Sequence, residues 1–116
     1  MTVNTQITLK DYEGKDISQD INRQVEVDGQ KVIKIVSEPI PLKDILITLL
    51  NTQTESLDVN QKITVHELLT KLHTLDELDF TEAEVNLIFE RAKVICKPLV
   101  LGRIMELFQI GKELTN

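Results

Sequence analysis

Two prolines set two residues apart, Pro39 and Pro41, divide this chain into stretches with different hydrophobic periods. Neither can donate a ladder hydrogen bond, and each biases its predecessor toward extended backbone, so a paired strand cannot run through them. Before them apolar residues alternate with polar ones; after them they recur at helical spacing. The predicted class is therefore α+β, an N-terminal β-hairpin or small antiparallel sheet followed by about four short helices. At 116 residues the chain is long enough for one core and too short for two. It reads as a single domain over 1–116, with a β-rich part at 1–38 and a helical part at 39–116.

On the strand side, Val3, Ile7 and Leu9 alternate with polar neighbours, which predicts a strand from Thr2 to Lys10. Asp11 to Lys15 reads as a turn. Asp16 to Arg23 is polar apart from Ile17 and Ile21, and is expected as loop or a loosely paired extension. The strongest strand signal follows: Asp28-Gly29, a type I′ turn dipeptide, lies between Val25 and Val27 and the run Val32 to Val36. Val25, Val27, Ile33 and Ile35 are expected on one face of this hairpin, with Val32, Lys34 and Val36 on the other.

On the helical side, Pro41 suits a first turn, and Leu42, Ile45, Leu46, Leu49 and Leu50 share one face of a helix reaching about Asn51. Thr52 to Lys62 is polar and reads as a loop. Thr64 and Glu67 form a capping-box pattern, predicting a second helix that buries Val65, Leu68, Leu69, Leu72 and Leu75. A further box at Thr81 and Glu84 opens a third helix with Val85, Ile88, Phe89, Ala92 and Ile95 on one stripe. Pro98 ends that helix and starts a fourth, running to about Ile110 with Gly111 as C-cap. This last helix is apolar around most of its circumference, so it is either central to the core or an interface.

Composition narrows the function. A net charge of -6 and a pI near 4.9 repel phosphate backbones, so nucleic acid is disfavoured as a partner. The same acidity would suit a mimic that occupies a basic nucleic-acid-binding surface, or an ordinary acidic protein. Three Phe, one Tyr and no Trp leave few surfaces for stacking bases or sugars. The single Cys96 cannot form an intramolecular disulfide, and no charged-then-apolar leader opens the sequence, which predicts a cytoplasmic location. Apolar runs of a few residues fall short of the roughly 20 that span a bilayer, so no membrane association is expected.

Candidate chemistry is sparse. His66 and His73 are seven residues apart, about 10 Å along a helix, too far to share one metal ion. Cys96 falls near a helix end with no base in its pattern and is expected to be structural. The acidic run Asp76, Glu77, Asp79, Glu82 and Glu84 suits the positive end of the third helix, and Leu75, Leu78 and Phe80 interrupt any calcium-loop pattern. Gly14, Gly29, Gly102 and Gly111 are isolated, so no phosphate-cradling loop exists. The expectation is no catalytic residue, no cofactor and no metal.

Several short pieces carry a resemblance: Leu9-Lys10-Asp11-Tyr12-Glu13-Gly14, Pro41-Leu42-Lys43-Asp44-Ile45-Leu46, Glu67-Leu68-Leu69, Phe80-Thr81-Glu82-Ala83-Glu84 and Pro98-Leu99-Val100-Leu101-Gly102. In this order the chain resembles small accessory proteins of tailed bacteriophages. The resemblance implies a viral gene product acting in a bacterial cytoplasm, and it brings no active site.

These readings converge on a non-enzymatic protein-interaction module of phage type that regulates or inhibits a host or viral protein. The expected contact surface is Leu101, Met105, Leu107 and Phe108 of the fourth helix, or an exposed hairpin edge. The alternative is a homo-oligomeric structural or assembly component of a phage particle, with the same helix as subunit contact.

Overall fold

A computed structural model describes residues 2–108 of the chain. The order of elements is β1 (Thr2–Asn4), β2 (Ser18–Val27), β3 (Gln30–Pro39), α1 (Leu42–Asn51), α2 (Val59–Thr74), β4 (Glu77–Asp79), α3 (Glu82–Ile95) and α4 (Pro98–Phe108). The fold is α+β, with two separate antiparallel pairs, β1 with β4 and β2 with β3. The Ile110 and Gly111 expectations for the end of the fourth helix lie outside the described residues.

The four helices hold the core. Leu42, Leu46, Leu49 and Leu50 of α1 are buried at the predicted spacing and share one core with Leu68 and Leu72 of α2, Ile88 and Ala92 of α3, and Ile104 and Phe108 of α4. Phe80 meets Phe108 edge to face, with ring centroids 5.2 Å apart. The box at Thr81 and Glu84 forms as expected: the Glu84 amide donates to Thr81 Oγ1 and the Thr81 amide donates to Glu84 Oε1.

Several expectations are corrected. Thr2 to Lys10 is not one strand: β1 stops at Asn4, and Thr8 and Lys10 make only isolated bridges to Pro41 and Asp16. Val3 and Leu9 are buried as predicted, but Ile7 is 38% exposed and Thr5 is fully buried instead. The cause is long-range: the Thr5 amide and hydroxyl both donate to the Asp76 carbonyl, each at 2.7 Å, and the Lys43 amide donates to the Thr5 carbonyl. Those bonds end β1 and tie it to α1 and to the residue before β4. The partner strand β4 lies inside the acidic run, whose expected role is mostly to favour the positive end of the third helix, with Val3 opposite Leu78.

The helix α2 begins six residues earlier than its Thr64 box implied. Asp58 and Gln61 form the working box, and Thr64, inside the helix, donates its hydroxyl to the Asn60 carbonyl. Leu75 falls at the C-cap and is half exposed rather than buried. A single 3-10 turn at Thr54–Ser56 bridges from α1.

The hairpin is longer than its apolar residues suggest. Asp28 (φ 52°) and Gly29 (φ 78°) adopt the left-handed pair of a type I′ turn. Its closing pair, Val27 with Gln30, sets a register that continues through ten residue pairs to Ser18 with Pro39. Of the two readings of the polar stretch, loop or paired extension, the paired one holds from Ser18 onward. The same register corrects the faces: Val25 opposes Val32 and Ile21 opposes Val36, while Ile33 and Ile35 oppose Gln24 and Asn22 on the other side. A two-residue turn aligns odd β2 residues with even β3 residues, and this alignment the separate strand patterns do not contain.

Candidate protein-binding surface

Between Ser18 and Pro39 no residue is buried. Each strand has ten residues, about 33 Å at strand rise, and among the described residues their extensive packing is with each other. The molecule measures 59 × 34 × 25 Å and its radius of gyration is 16.6 Å, against about 13 Å for a compact 100-residue domain. The hairpin is an arm. At its root the Ile40 amide donates to the Ile17 carbonyl at 2.9 Å, and the Ile17 amide donates to the Leu9 carbonyl at 2.9 Å.

One face of the arm carries two apolar cross-strand pairs, Ile21 with Val36 and Val25 with Val32, on either side of Arg23 opposite Lys34. Like charges directly opposed destabilise a hairpin. Arg23 turns instead to Glu38, to which Nε and a terminal nitrogen donate at 2.6 Å each, a fork that passes over Ile21 and Val36. Hydrogen bonding to Arg23 holds the Glu38 carboxyl below its usual range, and Glu38 raises Arg23 in return. Lys34 forms no ion pair with any described residue. The other face carries Ile33 and Ile35, each 73% exposed.

Bonded and non-bonded pairs alternate along an antiparallel ladder. Val27 with Gln30 is the bonded pair that closes the two-residue turn, and the Ile40 amide donates to Ile17 in the same phase, so Lys31, Ile33, Ile35 and Ser37 direct their backbone groups outward from β3. Pro39 falls in this outward set, where its missing N–H breaks nothing in the hairpin. No described strand pairs with that outer edge.

The predicted surface on α4 fares differently. Phe108 is 1% exposed and belongs to the core beside Ile104. Leu101 and Leu107 are half-buried and pack against the core, and Met105 is half-buried. The four residues therefore do not form one exposed patch. Arg103, between them, staples the N-terminal turn to α4: it donates to the Lys10 carbonyl at 2.7 Å and the Asp11 carbonyl at 3.0 Å, and lies over the Tyr12 ring. An open groove of about 450 Å³ runs beside it, lined by Leu9, Tyr12, Glu106 and Leu107 among others.

The remaining sequence candidates are scattered. His66 and His73 are both exposed on α2, and no group of three His, Cys, Asp or Glu among the described residues is placed to hold a metal ion. Cys96 caps the end of α3 and lines a hollow of about 260 Å³ at the root of the arm with Gln19, Ile40, Ile45 and Ile95. Burial pushes its thiol pKa up, away from thiolate reactivity. Asp76 reaches Lys43 and Gln6, whose hydrogen bonds lower its pKa; Glu84 reaches Lys71. Each of these two carboxylates therefore has a structural partner. No helix among the described residues is long and apolar enough to cross a membrane.

Comparison with known proteins adds no relative: no protein-family model matches the chain, no curated protein matches its sequence, and no solved structure matches its fold.

Proposed function

We propose that this chain is a non-enzymatic protein-interaction module that docks through the β2–β3 arm and so regulates or inhibits the protein it binds. The observation that carries the reading is the arm itself, two ten-residue strands without one buried side chain. A lone two-stranded hairpin is marginally stable in water, and a long free edge invites pairing with other chains. A partner that covers the Ile33 and Ile35 face, or extends the sheet, supplies the burial the arm lacks. The phage setting, in a bacterial cytoplasm, follows from the resemblance carried by the sequence pieces Leu9 to Gly14 and Pro41 to Leu46.

The second reading, a homo-oligomeric assembly component, is favoured by the residual exposure of Leu101, Met105 and Leu107 on α4. A capture experiment separates the two. The tagged intact chain and a version with residues 18–39 replaced by a two-residue turn are each incubated with bacterial lysate. Stoichiometric recovery of one protein by the intact chain alone supports docking through the arm. Equal recovery by both chains moves docking to the body, and recovery of only the chain itself, from both, supports the assembly reading.

A further inference from the structure

We infer that the outer edge of β3 receives an extended segment of a partner protein in which an acidic residue is flanked on each side by two aliphatic residues. The inference rests on the arm being the docking element and specifies what it docks. A third strand paired antiparallel to β3 would extend each existing cross-strand row by one residue. The rows Val25–Val32 and Ile21–Val36 call for apolar neighbours, as do Ile33 and Ile35 on the opposite face. The row between them, Arg23–Lys34, calls for an anion, because Glu38 engages Arg23 and no described carboxylate engages Lys34. Read along the incoming strand, the required order is aliphatic, aliphatic, acidic, aliphatic, aliphatic.

Charge also argues against a second copy as the occupant. Val32-Ile33-Lys34-Ile35-Val36 reads the same in both directions, so two β3 edges could pair antiparallel about Lys34 with every aliphatic residue matched. That register sets Lys34 directly against its own copy. Because Lys34 lies between the outward-facing Ile33 and Ile35, it would occupy a non-bonded pair, where side chains approach most closely. A like-charge pair there opposes self-association, while an Asp or Glu at the same place completes the row. Lys34 thus serves as a gatekeeper against its own kind and a selector for an acidic strand.

The probe is a soluble synthetic peptide carrying Val-Ile-Glu-Ile-Val between Ser-Gly flanks, with a Lys-centred peptide as control, titrated into the full chain at low salt. The Glu-centred peptide is expected to bind about tenfold tighter than the control, with amide shifts centred on Ile33 and Ile35 and none in the arm-replaced chain. Lys34→Glu is expected to reverse the ranking, and Lys34→Val to make the chain self-associate in sedimentation. Equal binding of both peptides, or binding of neither, overturns the inference; the latter leaves docking through the arm intact if capture still requires residues 18–39. Self-association of the unmodified chain that is lost in Ile33→Asp would make a second copy the occupant and overturn it as well.

Discussion

The Ile40 amide donates to the Ile17 carbonyl at 2.9 Å across the root of the arm, so the chain leaves and re-enters the helical body at adjacent points. Everything between these residues is exposed or half-exposed. The arm therefore joins the body at its root, where its first and last residues meet.

Joining Ile17 to Ile40 through an Asn-Gly turn in place of residues 18–39 should leave the body folded. The Ile40 amide already donates to the Ile17 carbonyl, the hydrogen bond that closes such a turn. Far-ultraviolet circular dichroism should keep its helical signal, and the thermal midpoint should move by no more than a few degrees. Loss of cooperative unfolding would show that the arm contributes to the core.

Glu84 should make stability fall in acid. Burial pushes its carboxyl up, but the Thr81 amide, Lys71 and the Thr81 hydroxyl together outweigh that, and its folded pKa lies below the usual value. A carboxylate depressed on folding contributes stability that is complete above its unfolded pKa and is lost as pH falls through the folded one. Glu84→Gln should cost about 1 kcal/mol near neutrality and flatten the acid limb of stability against pH. Chemical denaturation of both proteins from neutral to acidic pH measures this, and parallel curves would refute it.

Arg91 should be the most sensitive charged residue in the body. It is buried on α3 and donates to the carbonyls of Thr52 and Gln53, the latter at 3.1 Å, just past the end of α1. Gln53 is held in left-handed backbone (φ 52°) within the same turn. Arg91→Met leaves both carbonyls without this donor, and hydrogen bonds to charged groups contribute about 1.5–3 kcal/mol each. A drop of about 2–4 kcal/mol in urea denaturation is expected, whereas Arg23→Met on the arm should leave the body transition unmoved.

Phe108 and Leu107 should separate core from surface on α4. Phe108→Ala removes the ring stacked edge to face on Phe80 and should cost about 3–5 kcal/mol. Leu107→Ala, at a half-buried position, should cost clearly less. Equal losses in calorimetry would place both side chains in one packed layer.

Much of the fold was legible from short-range pattern. The stripe of Leu42, Leu46, Leu49 and Leu50, the box at Thr81 and Glu84, and the Asp28-Gly29 turn each carry their physical cause within a few residues. The Asp58 and Gln61 box was equally local, but the Thr64 and Glu67 pattern competed with it inside the same helix. For the candidate site, the free hairpin edge was foreseen, and Lys34 was seen only as a neighbour of Val32 and Val36. The palindrome around Lys34 was the signal that could have singled it out.

The amino-acid sequence by itself determined where the hairpin gives way to α1, at Pro39 and Pro41, and which residues of each helix are apolar. Periodicity reports which face avoids water; it does not report what covers that face. Tertiary structure alone decided that α4 turns Ile104 and Phe108 into the core, that three residues of β4 join β1 across most of the chain, and that Thr5 displaces Ile7 inside. It alone also left Ile33 and Ile35 uncovered. Strand register depends on the turn and on pairing partners far away in the sequence, and a free edge is defined by what the rest of the chain does not reach.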